Sequence, residues 1–356
     1  MVEALNITIK KVSKSNLPNI DLSNMVFGKV YSDHMFVADF EDGEWKNFSI
    51  TPYGNLNITP GICALHYGQS VFEGLKAYRN NNREVLIFRP YDNYKRMNLS
   101  AKRICMPEVP EEVFIGGLME LLKIDKNWVP DLPGTSLYIR PLMYATDEYI
   151  GLKPSKNYQF IIFTCPVGPY YSEPLKVKVE ENYVRAFRGG TGFAKFGGNY
   201  AGSLYPAKLA QEEGYHQLIW TDGAEHRYVE ESGTMNLMFI IKDVLITPTL
   251  NDDTILHGIT RDSVLTIARD WNLRVEERRI SIDEIIEGIK KKNLKEAFGA
   301  GTAATIAHIS SIGYEGIDYE LPPITNEHFS RKVFDTLEKY RRGQLADKFN
   351  WIVKIS

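Results

Sequence analysis

The chain has 356 residues, 44% of them hydrophobic and 24% charged, with a formal net charge of -3. That length exceeds what one hydrophobic core fills, so two domains are expected, and the composition excludes a disordered chain. Its weak net charge offers no footprint for nucleic acid or an anionic membrane, and the cysteines Cys63, Cys105 and Cys165 carry neither a disulfide framework nor a CxxC metal site.

No stretch approaches the length of a membrane span. Residues 1–19 lack both the apolar core of a signal peptide and the Arg-rich amphipathic character of a transit peptide, so a cytoplasmic protein is expected. In chain order, strand-like runs at 84–88 and 136–139 alternate with helical patterns at 91–104 and 111–122. An apolar strand at 158–164 then runs into Cys165-Pro166-Val167-Gly168-Pro169-Tyr170-Tyr171-Ser172-Glu173-Pro174, whose prolines and glycine predict a semi-rigid connector. The expected organisation is a smaller N-terminal domain over 1–168, a linker over 169–180 and a larger C-terminal domain over 181–356. Beyond the connector come a helix at 201–213, strands at 217–220 and 237–241, and helices at 260–271 and 282–292. Over 326–342, Phe329, Val333, Leu337 and Tyr340 recur at helical spacing and predict a helix with one face on a core. The pattern is that of two α/β or α+β domains.

Lys195 stands in Gly189-Gly190-Thr191-Gly192-Phe193-Ala194-Lys195-Phe196-Gly197-Gly198-Asn199-Tyr200, framed by glycines and aromatics. Glycine permits close backbone approach, and apolar neighbours desolvate the amine and favour its neutral, nucleophilic form. That describes a Schiff-base lysine; the bland alternative is a solvated lysine in a glycine-rich loop.

A Schiff base to pyridoxal phosphate requires an anion site, a carboxylate for the pyridine nitrogen and a hydrogen bond to the ring oxygen. Thr260 opens a helix whose apolar face is Val264, Ile267, Ala268 and Trp271, and it is reached through Gly258, so backbone N–H groups and the helix dipole favour a phosphate there. An ordinary capping threonine is the alternative. Glu230 and Glu231 lie between two strand-like runs and offer the carboxylate, unless they are a solvated edge. Tyr200 is placed to reach the ring oxygen, or is a structural tyrosine. A competing reading is Gly299-Ala300-Gly301-Thr302-Ala303-Ala304, which fits the GxGxxA dinucleotide fingerprint. The fingerprint needs a following helix, and Thr305-Ile306-Ala307-His308-Ile309-Ser310-Ser311-Ile312 instead predicts a strand.

Six windows recur together in one family: Ala64-Leu65-His66-Tyr67-Gly68-Gln69-Ser70-Val71-Phe72-Glu73-Gly74, Tyr138-Ile139-Arg140-Pro141, Lys195-Phe196-Gly197-Gly198-Asn199-Tyr200, Glu231-Ser232-Gly233-Thr234-Met235-Asn236, Gly258-Ile259-Thr260-Arg261 and Gly301-Thr302-Ala303. The chain resembles the branched-chain amino acid aminotransferases of pyridoxal-phosphate fold type IV, over residues 24–356. The resemblance implies a homodimer with the cofactor between the two domains. It implies that Lys195 carries the Schiff base and acts as general base, that Glu231 meets the pyridine nitrogen, and that Tyr200 meets the ring hydroxyl. Phosphate would be held by Arg96, Ile259, Thr260 and Thr302, with Leu256 backing the ring.

The implied reaction passes an amino group from leucine, isoleucine or valine to 2-oxoglutarate, so one pocket accepts both an aliphatic and a carboxylate side chain. Phe27, Tyr67, Phe72, Tyr138 and Tyr170 would wall the aliphatic chain, or serve as ordinary core. Arg140 would take the distal carboxylate, and the backbone around Thr302 and Ala303 the α-carboxylate. Where mammalian members carry a CxxC redox pair, this chain has Ala304 and Ala307, so no thiol switch is expected there. D-amino acid aminotransferases and aminodeoxychorismate lyases of the same fold would share Lys195 and Glu231, but the Tyr138-Ile139-Arg140 motif and the Gly-Thr-Ala loop argue for the branched-chain branch.

Overall fold

The apolar runs of the chain form two separate sheets of nine strands each. The computed structural model describes residues 5–169, 171 and 173–355. The chain divides into one unit of Met1–Tyr170, Ala194–Gly197 and Lys339–Ser356, and a second of Tyr171–Phe193 and Gly198–Glu338.

Strands β1 (Thr8–Ile9), β2 (His34–Glu41), β3 (Glu44–Pro52), β4 (Ser70–Phe72), β5 (Leu75–Arg79), β6 (Val85–Phe88), β7 (Ser136–Ala145) and β8 (Tyr158–Val167) belong to the first unit. Their order is β1-β3-β2-β8-β7-β5-β6, the terminal strand Ile352–Lys354 adds antiparallel to β6, and β4 pairs with β7. Helices α1 (Cys63–Tyr67), α2 (Pro90–Arg103) and α3 (Gly117–Asp125) accompany them. Proline in the first turn of α2 donates no N–H where none is needed. Asn93, Arg96 and Ser100, buried at helical spacing, share one face of α2. The core gathers Phe36, Ile87, Met97, Leu118, Leu121 and Phe160.

The second unit carries β9 (Leu175–Val179), β10 (Gln217–Thr221), β11 (Val229–Ser232), β12 (Met235–Ile241), β13 (Val244–Thr247), β14 (Arg274–Glu277), β15 (Leu294–Gly301), β16 (Thr305–Tyr314) and β17 (Ile317–Glu320). Pairing runs β11-β10-β9-β16-β15-β12, and β11 also pairs with β12, which closes these strands into a ring. The closing hairpin turns at Gly233, whose φ of +55° suits glycine, and an added Cβ there would strike Gln217. The short α4 (Gly197–Ala201) has no buried residue, and helices α5 (Leu204–Glu212), α6 (Ile259–Asp270) and α7 (Ile282–Lys290) fall on the expected helical stretches. Ser281 caps α7 by accepting the Glu284 N–H at 3.1 Å. In α8 (Phe329–Arg341), Val333, Leu337 and Tyr340 are buried as their spacing predicts.

The structure departs from the expected boundaries in several places. The stretch read as connector is strand as far as Val167, with Pro166 opposite Leu137. β2 pairs with β8 only up to Phe163, so Pro166 sits where β8 has a neighbour on one side and its missing N–H costs no ladder bond. The expected linker 169–180 contains β9, because Leu175, Val177 and Val179 are buried on one face. The expected C-terminal domain ends early, since 339–356 join the first unit through the strand on β6, and that unit is the larger of the two. Trp271, expected on the apolar face of α6, lies just past the helix end, 39% exposed, with its ring edge-on to Phe329.

Candidate active site

Lys195 falls in the first unit, where its backbone is pinned on both sides. Its N–H donates to Ser100 Oγ at 2.8 Å and its carbonyl accepts the Phe72 N–H at 3.1 Å. Ser100 Oγ in turn donates to the Arg96 carbonyl at 3.0 Å, so α2 positions the lysine's main chain. The Lys195 Nζ lies 4.8 Å from the centroid of the Phe72 ring, and the Arg140 guanidinium lies 4.5 Å from the same centroid. Arg140 Nη2 also donates to the Tyr138 hydroxyl at 2.9 Å. Its Nε is buried without a hydrogen-bond partner among the described residues, and no carboxylate pairs with it there. A half-buried cation with an unused donor is a poor structural element and a good anion receptor. Phe27 packs edge-on against Tyr138 at 4.9 Å. Gly74 is required beneath this cluster, because a Cβ at that position would overlap the Tyr138 hydroxyl.

Arg96, buried in α2, donates from Nε and Nη2 to the Glu73 carboxylate at 2.7 and 2.8 Å. Asn93 Nδ2 and the Gly74 N–H complete the bonds to Glu73, which is wholly buried. Cys165 stands opposite Tyr138 in the β7–β8 pairing, and burial pushes its thiol up to about 11, so it is protonated and inert at neutral pH.

In the second unit, Glu231 lies on β11 and is buried. Its Oε1 accepts the Leu256 N–H at 2.7 Å and Asn236 Nδ2 at 3.1 Å, and its Oε2 meets Arg185 Nη2 at 2.6 Å. The adjacent Glu230 is also buried, and the loss of water pushes its carboxyl up to about 7. The loop 254–258 carries Leu256 and leads to the N-terminus of α6, where Ile259 and Thr260 begin the helix. Gly258 has no room for a side chain, since a Cβ would overlap Asn236 Oδ1. The first-turn N–H groups of a helix entered this way have no intrahelical acceptors and suit a phosphate. Within the second unit, a buried carboxylate and a glycine-gated helix N-terminus fit the pyridine nitrogen and the phosphate of pyridoxal phosphate by donor type; within the first, the lysine on an aromatic face fits its aldehyde.

The profile of the class IV amino-transferase family matches residues 70–312. The chain belongs to the class IV aminotransferases. The branched-chain-amino-acid aminotransferase 2 of Bacillus subtilis is 42% identical over 97% of this chain and 96% of its own length. A probable branched-chain-amino-acid aminotransferase of Staphylococcus epidermidis is 44% identical over 94% of each chain. The crystal structure of a branched-chain aminotransferase from Thermoproteus uzoniensis with norvaline superposes with a TM-score of 0.74 at 27% identity, covering 91% of this chain and all of that one.

The remaining expected positions of this class IV aminotransferase are placed as follows. Tyr200 lies in α4 and its carbonyl accepts the Ser203 hydroxyl at 2.7 Å. Tyr67 ends α1 and is 38% exposed. Thr302 and Ala303 form the turn between β15 and β16. Tyr170 lies outside the described residues. The GxGxxA run is strand up to Gly301 and is followed by strand β16, not a helix, which removes the dinucleotide reading. Arg185, Ser100 and Glu73 have no motif role that the sequence disclosed. Arg185 precedes the glycine-rich window, and only the fold brings it to Glu231.

Proposed function

We propose that this protein transfers the amino group of leucine, isoleucine or valine to 2-oxoglutarate with pyridoxal 5'-phosphate as cofactor. The observation that carries the reading is the Lys195–Phe72–Arg140 arrangement: an amine and a guanidinium over one ring, the guanidinium with an unused buried donor. When bound, pyridoxal phosphate supplies a carbonyl for the lysine amine and a ring that withdraws electrons from the substrate Cα. Lys195 would tether the cofactor, and its amine would take the substrate's Cα proton and return it, so one residue would serve as tether and general base. Glu231 holds a proton on the pyridine nitrogen, and Tyr200 hydrogen-bonds the ring oxygen. The N-terminus at Ile259 and Thr260 receives the phosphate, with Thr302 and Arg96 contributing, and Leu256 backs the ring. The rings of Phe27, Tyr67, Phe72, Tyr138 and Tyr170 exclude water around an aliphatic side chain. Arg140 binds the distal carboxylate of glutamate, and the turn at Thr302 and Ala303 takes the α-carboxylate.

Exposed Leu65, Ile150 and Leu152 support a homodimer, because α1 and the 147–152 segment are tied together by the Cys63 N–H bond to Asp147 at 2.9 Å and form one apolar patch. Free Cys63, Cys105 and Cys165 support a reducing, cytoplasmic setting. The test is to supply the purified protein with the cofactor, reduce with borohydride and locate the added mass. Mass on Lys195, with leucine-dependent glutamate formation from 2-oxoglutarate, supports the reading. Mass elsewhere overturns it.

A further inference from the structure

Two consecutive glutamates on β11 are both buried, but they differ in their surroundings. Glu231 has a cation against it, whereas Glu230 makes no ion pair among the described residues. For a carboxyl removed from water, the neutral form is favoured unless a cation or several donors hold the charge. At Glu230 burial dominates and raises the carboxyl, although a Thr254 hydrogen bond and the more distant charge of Arg185 pull the other way.

Arg185 is itself held rigidly. Nη1 donates to the Thr254 carbonyl at 3.1 Å, and Nη2 donates to the Gly192 carbonyl at 3.1 Å while meeting Glu231 Oε2 at 2.6 Å. Two backbone carbonyls from separate loops therefore aim one guanidinium at one carboxylate oxygen. Gly192 has no room for a side chain at this point, since a Cβ would lie 2.6 Å from the Thr254 carbonyl carbon. Asn236 acts in parallel on the other oxygen, with Nδ2 shared between Glu231 Oε1 and the Leu256 carbonyl at 2.9 Å.

We propose that Arg185 is a positioning residue for the cofactor's ring nitrogen, acting through Glu231 by keeping its carboxylate ionised and fixed in direction. The proposal rests on the reading that Glu231 meets that nitrogen. A carboxylate and a pyridine in contact share a single proton. It sits either on the nitrogen, leaving Glu231 negative and the ring positive, or on Glu231, leaving both neutral. No proton enters or leaves the pair in passing from one form to the other. A cation in contact with Oε2 is closer to the carboxylate than to any group the carboxylate binds, so it stabilises the charge-separated form more. Arg185 thereby keeps the proton on nitrogen, where the ring withdraws electrons best. Lysine cannot replace it fully, because one ammonium does not serve two carbonyls and a carboxylate in a fixed fork.

The test uses holoenzyme reconstituted with cofactor carrying 15N at the pyridine nitrogen, whose NMR shift reports where the proton lies. Wild type is expected at the protonated position and E231Q at the unprotonated one. In R185Q, loss of the charged pair is expected to move the distribution of the proton roughly ten- to a hundred-fold towards Glu231. Both half-reactions are expected to slow together while bound cofactor per protomer is retained. A purely structural role for Arg185 would lower stability or cofactor content and leave the 15N shift of the bound fraction at its wild-type place. An R185Q shift identical with wild type, beside a changed E231Q, overturns the proposal alone. An unchanged E231Q overturns the reading of Glu231 and the proposal with it. Should R185Q not fold, R185K decides: part of its signal is expected at the unprotonated position, and an R185K spectrum identical with wild type overturns the proposal.

Discussion

Arg140→Met separates the two substrate classes that one pocket must accept. The guanidinium stands 4.5 Å from the Phe72 centroid and 5.4 Å from that of Tyr138, and it donates to the Tyr138 hydroxyl at 2.9 Å. Its buried Nε has no partner among the described residues, so a substrate carboxylate would gain a charge-assisted bond without breaking an existing one. Such a bond is typically worth ~1.5–3 kcal/mol, which corresponds to a loss of roughly ten- to a hundred-fold in kcat/KM for glutamate. Leucine makes no such bond, and Met keeps apolar volume, so the leucine half-reaction should change by less than roughly threefold.

The substitution also carries a stability cost. It removes two cation–π contacts, about 0.5–1 kcal/mol each, and the donor to the Tyr138 hydroxyl, about 1 kcal/mol, so Tm should fall by several degrees. Tyr138→Phe supplies the control, since it removes the hydroxyl and leaves the guanidinium charge. Stopped-flow measurement of each half-reaction reads the result. A parallel loss for leucine and glutamate in Arg140→Met would refute the carboxylate role and leave a structural one.

Lys195→Ala should abolish transamination and the borohydride-fixed mass while leaving the fold intact, because alanine keeps the backbone N–H and carbonyl that Ser100 and Phe72 hold. Retention of more than a few per cent activity would refute the assignment. Gly74→Ala should displace the Tyr138 ring and lose about 1–3 kcal/mol of stability in denaturant titration, together with glutamate activity. A wild-type unfolding midpoint would show that the site tolerates a Cβ. Glu230 has a folded value of about 7 against an ordinary 4.5, so its proton stabilises the fold fully below about pH 4.5, and that contribution is lost as pH rises through 7. The difference is on the order of 3 kcal/mol. Unfolding free energy measured at pH 5 and pH 8.5 should therefore fall more in wild type than in Glu230→Gln, and equal slopes would place the titration elsewhere.

Local pattern determined much of this protein. The strand at 158–164, the helix over 91–104 and the spacing of Val333, Leu337 and Tyr340 each follow from apolar periodicity, which depends only on near neighbours in the chain. Lys195, Glu231 and Thr260 stand out for the same reason, since each lies in a window whose glycines and turns mark a tightly constrained backbone. What the tertiary structure alone decided depends on pairing between distant segments. The strand Ile352–Lys354 is too short and too exposed to announce its partner, yet its ladder to β6 returns the C-terminus to the first unit. Lys195 belongs to that unit because Ser100 and Phe72, each about a hundred residues away or more, hold its backbone. Arg185 reaches Glu231, and Tyr138 finds room over Gly74, through pairing of strands whose register no single segment encodes. Residue type reveals what chemistry a side chain can perform, but the charge beside it and the space left for it are set by long-range hydrogen bonding and packing.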